Sequence, residues 1–132
     1  MKIENIKFKA KRLDNGEWIY GSLIRSTAGI KERAYIVDYF SSMSDYSVIG
    51  VDPSTVCQFT GLKDCEDNKL YEHDVIKNYP FIPSEIVWSE EFSGYYLKHA
   101  NGKIEGKPLG HYLSLGKFIV VGNKFDKRRS SV

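Results

Sequence analysis

The sequence predicts a mainly β protein, built as an antiparallel meander or small barrel with little helix. Aromatic residues make up 14% of the chain, with nine Tyr, seven Phe and two Trp, and these types favour strands. Short apolar runs are separated by turn residues roughly every 8–12 positions, which is typical of antiparallel β architectures. The 132 residues are 42% apolar, enough to bury the core of one ordinary domain.

The first hairpin follows from strict alternation between residues 6 and 12. Ile6, Phe8 and Ala10 share one face and lysines occupy the other, as in a half-buried strand. An Asp-Asn-Gly turn at residues 14–16 tolerates positive φ. Residues 18–24 are therefore predicted to form the return strand.

The same patterns predict the remaining elements. Residues 41–47 are serine-rich and predict a loop, and a single helical turn is predicted at residues 111–115 between two glycines. Residues 89–92 could begin a helix, but Gly94 weakens that alternative and favours a hairpin turn. Further strands are expected at residues 34–40, 48–51, 56–59, 70–77, 85–88, 95–99 and 118–121.

Composition excludes several classes of protein. No apolar run approaches the roughly 20 residues of a membrane-spanning helix. The first residues carry charge without an apolar segment, so no secretory signal is visible. Cys57 and Cys65 are too few for a disulfide scaffold or a four-thiolate zinc site. We therefore expect a cytoplasmic protein without a membrane partner.

Charge is unevenly distributed along the chain. The net charge is +2, but residues 1–12 hold five basic groups and one acid, and residues 126–132 hold three basic groups and one acid. The intervening residues are consequently acidic overall, mainly between positions 64 and 74. Opposite patches attract within about 8–10 Å, so this distribution favours self-association and predicts a homo-oligomer.

Three segments resemble the YopX family of phage and prophage proteins. They are residues 6–10 with Trp18 and Gly21, residues 59–64 followed by 70–77, and residues 120–123. The middle segment is the most specific, and the resemblance spans about residues 4–125. This chain has His73 where relatives usually place glycine in a Tyr-Glu-Gly-Asp turn, which questions a positive-φ turn there.

The resemblance implies a mostly β domain with an SH3-like barrel in the C-terminal half, a phage or prophage origin and a bacterial cytoplasm. It implies no reaction and transfers no site residues. The domain organisation expected from it is an N-terminal β lobe at residues 1–50, a YopX-like barrel region at 51–125 and a basic tail at 126–132.

Catalytic and metal-binding sites find little support in the sequence. Glu72, His73 and Asp74 bring a histidine beside carboxylates, but neighbours in a strand point to opposite faces. The acidic segment at 64–68 fails the calcium-loop pattern and is expected to be a solvated turn. No zinc-ligand spacing is matched by the set Cys57, Cys65, His73, His99 and His111. We expect no enzyme activity, no metal and no cofactor.

The leading functional hypothesis is a phage- or prophage-derived accessory protein that acts as a non-enzymatic protein–protein interaction module. The alternative is a nucleic-acid-binding β domain that uses its basic first strand and tail. Lysines on an outer strand face also prevent edge-to-edge aggregation without any ligand. The residues of the alternative are Lys7, Lys9, Lys11, Arg12, Lys127, Arg128 and Arg129.

Overall fold

A computed structural model describes residues 2–29, 31–39, 46–78 and 82–126, and it confirms a mainly antiparallel β protein with one short helix. No helix among these residues is long and apolar enough to cross a membrane. The elements are β1 (Phe8–Lys11), β2 (Trp18–Ser26), β3 (Arg33–Tyr39), β4 (Tyr46–Val51), β5 (Cys57–Lys63), β6 (Lys69–Tyr71), β7 (Asp74–Lys77), β8 (Ser84–Ser89), β9 (Gly94–His99), α1 (Leu109–Leu115) and β10 (Ile119–Asn123).

The chain divides into two compact units, Met1–Phe59 and Thr60–Val132, here called the N-terminal and C-terminal units. In the N-terminal unit the strands lie in the order β4-β3-β2-β1-β5. The predicted first hairpin is confirmed, with Phe8 opposite Gly21 and Lys11 opposite Trp18. Its apolar face joins a core that includes Ala10, Ile19, Ala34, Ile36 and Val51.

Gly21 is required by a close backbone approach between β2 and β3. A Cβ atom at this position would lie 2.1 Å from the carbonyl oxygen of Val37, which no real side chain tolerates. Glycine therefore lets β3 pack against this point of β2.

The C-terminal unit contains a four-stranded sheet in the order β10-β7-β8-β9. Strand β5 continues past Phe59 into this unit, where it is the neighbour of β6. Residues Leu70, Ile76, Ile86, Leu97 and Leu109 form the core. The predicted helical turn at 111–115 and the hairpin of β8 and β9 are both confirmed. Of the possible helix start at 89–92, Ser89 ends β8 and the rest belongs to a turn at residues 90–93.

One strand prediction is wrong. The predicted strand at 70–77 is interrupted at Glu72 and His73 and becomes β6 and β7. Within the described residues β10 and β9 are the two ends of the four-stranded sheet, so this sheet is open, and the SH3-like barrel stays a prediction. The domain boundary expected at residue 50 also stays a prediction; the N-terminal unit includes the first residues of β5, which pair with β1.

Candidate functional site

The turn between β6 and β7 adopts positive φ at a histidine. His73 has φ of 69°, a conformation that glycine adopts more readily than any other residue. Its backbone N–H donates to the carbonyl of Ile86 at 2.7 Å, and its own carbonyl accepts from Lys124 N–H at 2.9 Å. These two hydrogen bonds hold the strained backbone in place, so the turn forms with histidine at this position.

The buried carboxylate of Asp74 stabilises this turn through hydrogen bonds. Its side chain is only 1% exposed, and Oδ2 accepts from the Tyr71 N–H at 2.8 Å. The other oxygen, Oδ1, accepts from Asn123 Nδ2 at 2.8 Å, and Asn123 Oδ1 accepts from Phe125 N–H at 2.9 Å. Asp74 and Asn123 thus join the two most C-terminal of the family-like segments, and both side chains have structural roles.

The His73 imidazole lies beside two carboxylates. Its Nδ1 is 2.7 Å from Glu85 Oε2, its Nε2 is 3.6 Å from Glu72 Oε2, and its ring meets Phe125 edge-on at 5.3 Å. Strand alternation predicted that Glu72 and Asp74 share a face opposite His73. That prediction is wrong because the chain turns here: Glu72 contacts His73, while Asp74 accepts from the Tyr71 N–H and the Asn123 side-chain amide.

A second histidine network was missed in the sequence. The Ser84 hydroxyl lies 2.9 Å from His99 Nδ1, and His99 Nε2 lies 2.6 Å from Glu105 Oε1. Tyr112 donates to Glu105 Oε2 at 3.2 Å. The pairing of the predicted β8–β9 hairpin, extended to its last residues, would have placed Ser84 opposite His99. No spacing rule predicts that Glu105 and Tyr112 join them.

The carboxylate end of this network is held by its neighbours. Serine, histidine and carboxylate are also the groups of a nucleophilic triad, and here Ser84 is only 5% exposed. Hydrogen bonds from His99 and then Tyr112 hold the pKa of Glu105 below its ordinary value. Burial first, and then the bond to Glu105, raises the pKa of Tyr112. Glu105 is therefore a fixed carboxylate.

That carboxylate lines a groove rich in aromatic side chains, which we call the aromatic groove. It has a volume of about 320 Å³ and is formed by β8, the turn after it, β9 and residues 104–106. Trp88 is 40% exposed, Phe92 64% and Ile104 52%. Its full lining is Val87, Trp88, Ser89, Glu91, Phe92, Tyr96, Ile104, Glu105 and Gly106.

The rings of the aromatic groove are held in place by their neighbours. Phe92 and Tyr96 have centroids 5.9 Å apart at 48°, and Trp88 packs edge-on against Tyr95 at 5.0 Å. The segment after β9 is attached by Glu105 N–H, which donates to the Leu97 carbonyl at 2.9 Å. The groove is thus built on a strand pair rather than on loops alone.

The basic first strand is largely occupied by contacts within the N-terminal unit. Lys9 is 7% exposed and its Nζ lies 4.6 Å from the Trp18 ring centroid, with Lys11 Nζ at 5.4 Å. Arg12 donates to both carboxylate oxygens of Asp14, at 2.9 and 2.7 Å. These bonds raise the pKa of Arg12 and lower that of Asp14.

The remaining residues of the basic set are Lys7 and the three basic residues of the tail. Lys7 is half-buried and directly precedes β1. Lys127, Arg128 and Arg129 lie outside the described residues.

The acidic turn at 64–68 is organised by a buried carboxylate. Asp64 is 6% exposed and accepts from the N–H groups of Glu66, Asn68 and Val120. Burial opposes its ionisation, but the bonds from Val120 and Asn68 outweigh it and hold its pKa below the ordinary 3.8. The expected solvated turn is therefore anchored to β10.

The cysteines and histidines considered as zinc ligands were not expected to form a site, because their spacing matches no zinc pattern. Cys57 is buried in β5 and Cys65 is exposed, as their positions predicted. Across the part of the chain that the structure describes, no three His, Cys, Asp or Glu side chains are placed to hold a metal ion.

Fold and surface together define a two-unit antiparallel β protein with an aromatic groove and two histidines in hydrogen-bonded networks. The family model described as YopX protein matches residues 7–128, nearly the whole chain. The chain belongs to the YopX family. A search of curated proteins found no match to it.

Proposed function

We propose that this YopX-family protein is a non-enzymatic protein–protein interaction module. The observation that carries the proposal is the aromatic groove, where Trp88, Phe92 and Ile104 expose large apolar side chains beside one another. Aromatic residues are enriched at the centres of protein interfaces, and clustered exposed apolar surface marks interaction sites.

The placement of the histidines supports a non-catalytic role. His99 makes hydrogen bonds through both ring nitrogens, to a buried serine and to Glu105. His73 contacts Glu85 and Glu72, and neither the aromatic groove nor a larger groove of about 530 Å³ in the N-terminal unit includes it. General acid–base catalysis requires a group that reaches bound substrate.

The proposed setting is a bacterial cytoplasm, with a phage or prophage origin, as the family resemblance implies. The proposed partner at the aromatic groove is a protein encoded by the phage or its host. Self-association is proposed separately, through the edge of β4 near Val48, which is 50% exposed; at Val51 the same edge is already bridged to Arg12.

Site-specific photocross-linking in bacterial cells tests the proposal. Phe92 is replaced by p-benzoylphenylalanine in one protein and Leu115 in the control, because Leu115 is 70% exposed but does not line the groove. We expect a discrete adduct only at position 92, and its purified partner should bind the unmodified chain with reduced affinity for Trp88→Ala. Absence of an adduct at 92, or the same adducts at 115, would overturn the proposal.

A further inference from the structure

We infer that the aromatic groove recognises an arginine side chain in a segment of its partner protein. This inference rests on the proposed function and specifies its ligand. The carrying observation is that Trp88, Phe92 and Tyr96 share one groove with the carboxylates of Glu91 and Glu105. Aromatic faces are electronegative, so rings and carboxylates together attract a cation.

The two carboxylates occupy different positions in the groove. Glu105 is held by His99 at 2.6 Å and by Tyr112, so its negative charge is fixed in direction. Glu91 is exposed, and among the described residues it makes no ion pair. A ligand that approaches the rings therefore meets one preorganised carboxylate, Glu105, and one exposed carboxylate, Glu91.

The N-terminal unit already uses the same chemistry internally. There, the ammonium groups of Lys9 and Lys11 lie over Trp18 at 4.6 and 5.4 Å. In the described ranges of the chain no lysine or arginine lies over Trp88, Phe92 or Tyr96. The ring faces of the groove are thus available to a cation from another molecule.

Arginine fits this site better than lysine or a nucleic acid does. Its planar guanidinium stacks on aromatic faces and bonds carboxylates in a bidentate manner, whereas an ammonium is more strongly hydrated. Its aliphatic stem can lie against Ile104, which is 52% exposed. Phosphates would be repelled by Glu91 and Glu105, which disfavours nucleotides on these rings despite their stacking potential.

Trp88 itself provides the readout. Because Trp18 and Trp88 are the two tryptophans of the chain, Trp18→Phe leaves Trp88 as the sole indole fluorophore. The Trp18→Phe variant is titrated with three peptides whose ends are blocked. In each peptide glycines flank a single arginine, lysine or citrulline, and citrulline is the neutral isostere of arginine. We expect saturable Trp88 fluorescence change with arginine, weaker binding with lysine and about tenfold weaker binding with citrulline.

Variants of the carboxylates separate charge recognition from apolar contact. Glu91→Gln and Glu105→Gln should each weaken arginine-peptide binding about threefold or more, and the exposed, non-lining Glu90→Gln should leave it unchanged. Glu91 is exposed, so its variant keeps the test valid even if Glu105→Gln perturbs the fold. Equal affinity for citrulline, binding of single-stranded DNA in place of peptide, or no effect of Glu91→Gln would overturn the inference.

The two proposals fail separately. A specific cross-linked partner at position 92 whose affinity is insensitive to Glu91→Gln and Glu105→Gln would retain the interaction module and reject arginine recognition. No cross-linked partner, with selective arginine-peptide binding in solution, would reject the proposed function and retain the cation site.

Discussion

The carboxylate of Asp74 and the side-chain amide of Asn123 meet at 2.8 Å, across 49 positions of sequence. Both side chains are almost fully buried, at 1% and 8% exposure. Through Tyr71 N–H on one side and Phe125 N–H on the other, this pair connects the turn before β7 to the end of β10. This hydrogen bond therefore attaches the turn between β6 and β7 to the end of β10.

Loss of this pair should destabilise the C-terminal unit. Asp74→Ala removes the side-chain acceptor of the Tyr71 N–H and the closer acceptor of the Asn123 amide, and we expect a loss of about 3 kcal/mol in the free energy of unfolding. Asn123→Ala should cost about 2 kcal/mol. Urea unfolding, followed by Trp88 fluorescence in a Trp18→Phe background, measures both. The double variant should cost less than the sum of the single variants by about 1 kcal/mol, and strict additivity would contradict the coupling.

The positive φ of His73 predicts a difference in stability between two substitutions at this position. His73→Gly and His73→Ala remove the same imidazole contacts, so the difference between them reports the backbone alone. Because alanine at φ of 69° is strained, His73→Ala should be about 1 kcal/mol less stable than His73→Gly. The same urea experiment measures the difference. Equal stability of the two variants would show that this turn relaxes out of the left-handed region.

Asp64 makes the stability of the C-terminal unit depend on pH. Its pKa in the folded protein lies below the ordinary 3.8, so its stabilising contribution is present above that value and is lost as the pH falls through the folded-state pKa. The urea midpoint should therefore decrease between about pH 5 and pH 3. Asp64→Asn should reduce that decrease. Asp67→Asn is the matched control, because its side chain is 83% exposed and pairs with Lys63 at the surface, and it should change the pH profile less than Asp64→Asn does.

Self-association through β4 predicts a concentration-dependent mass in sedimentation velocity. Val48→Lys places a charge on the strand edge, which opposes pairing with a second copy, and should shift the protein toward monomer. Leu115→Lys adds the same charge at an exposed position of the C-terminal unit and should have no effect. A monomer at every concentration would contradict the homo-oligomer hypothesis.

Nucleic-acid binding through the first strand stays a prediction with its own test. For this alternative, fluorescence anisotropy with short single-stranded DNA should show affinity that falls with log salt, and Lys7→Gln/Lys11→Gln should reduce the slope by about 1.4. Lys103→Gln/Lys107→Gln is the control for total charge. Lys9 is left intact because it is buried beside Trp18. No binding at low salt would contradict this alternative.

Local chemistry determined most of the fold from the sequence. Alternation at Phe8 and Ala10, turn residues such as Gly16, and the paired apolar runs of β8 and β9 each act over a few residues, so their patterns predict strands and hairpins directly. Family membership was equally visible, because its segments are contiguous in the chain.

Only the tertiary structure decided the site. The strand predicted at 70–77 breaks at His73 because Ile86 and Lys124, both distant in sequence, bond its backbone in a left-handed conformation. Lys9 looked solvated but is covered by Trp18 from the neighbouring strand. The aromatic groove forms because Glu105 is hydrogen-bonded beside β9. A contact of this kind produces no periodic pattern in the sequence, so hydrophobic periodicity does not predict it.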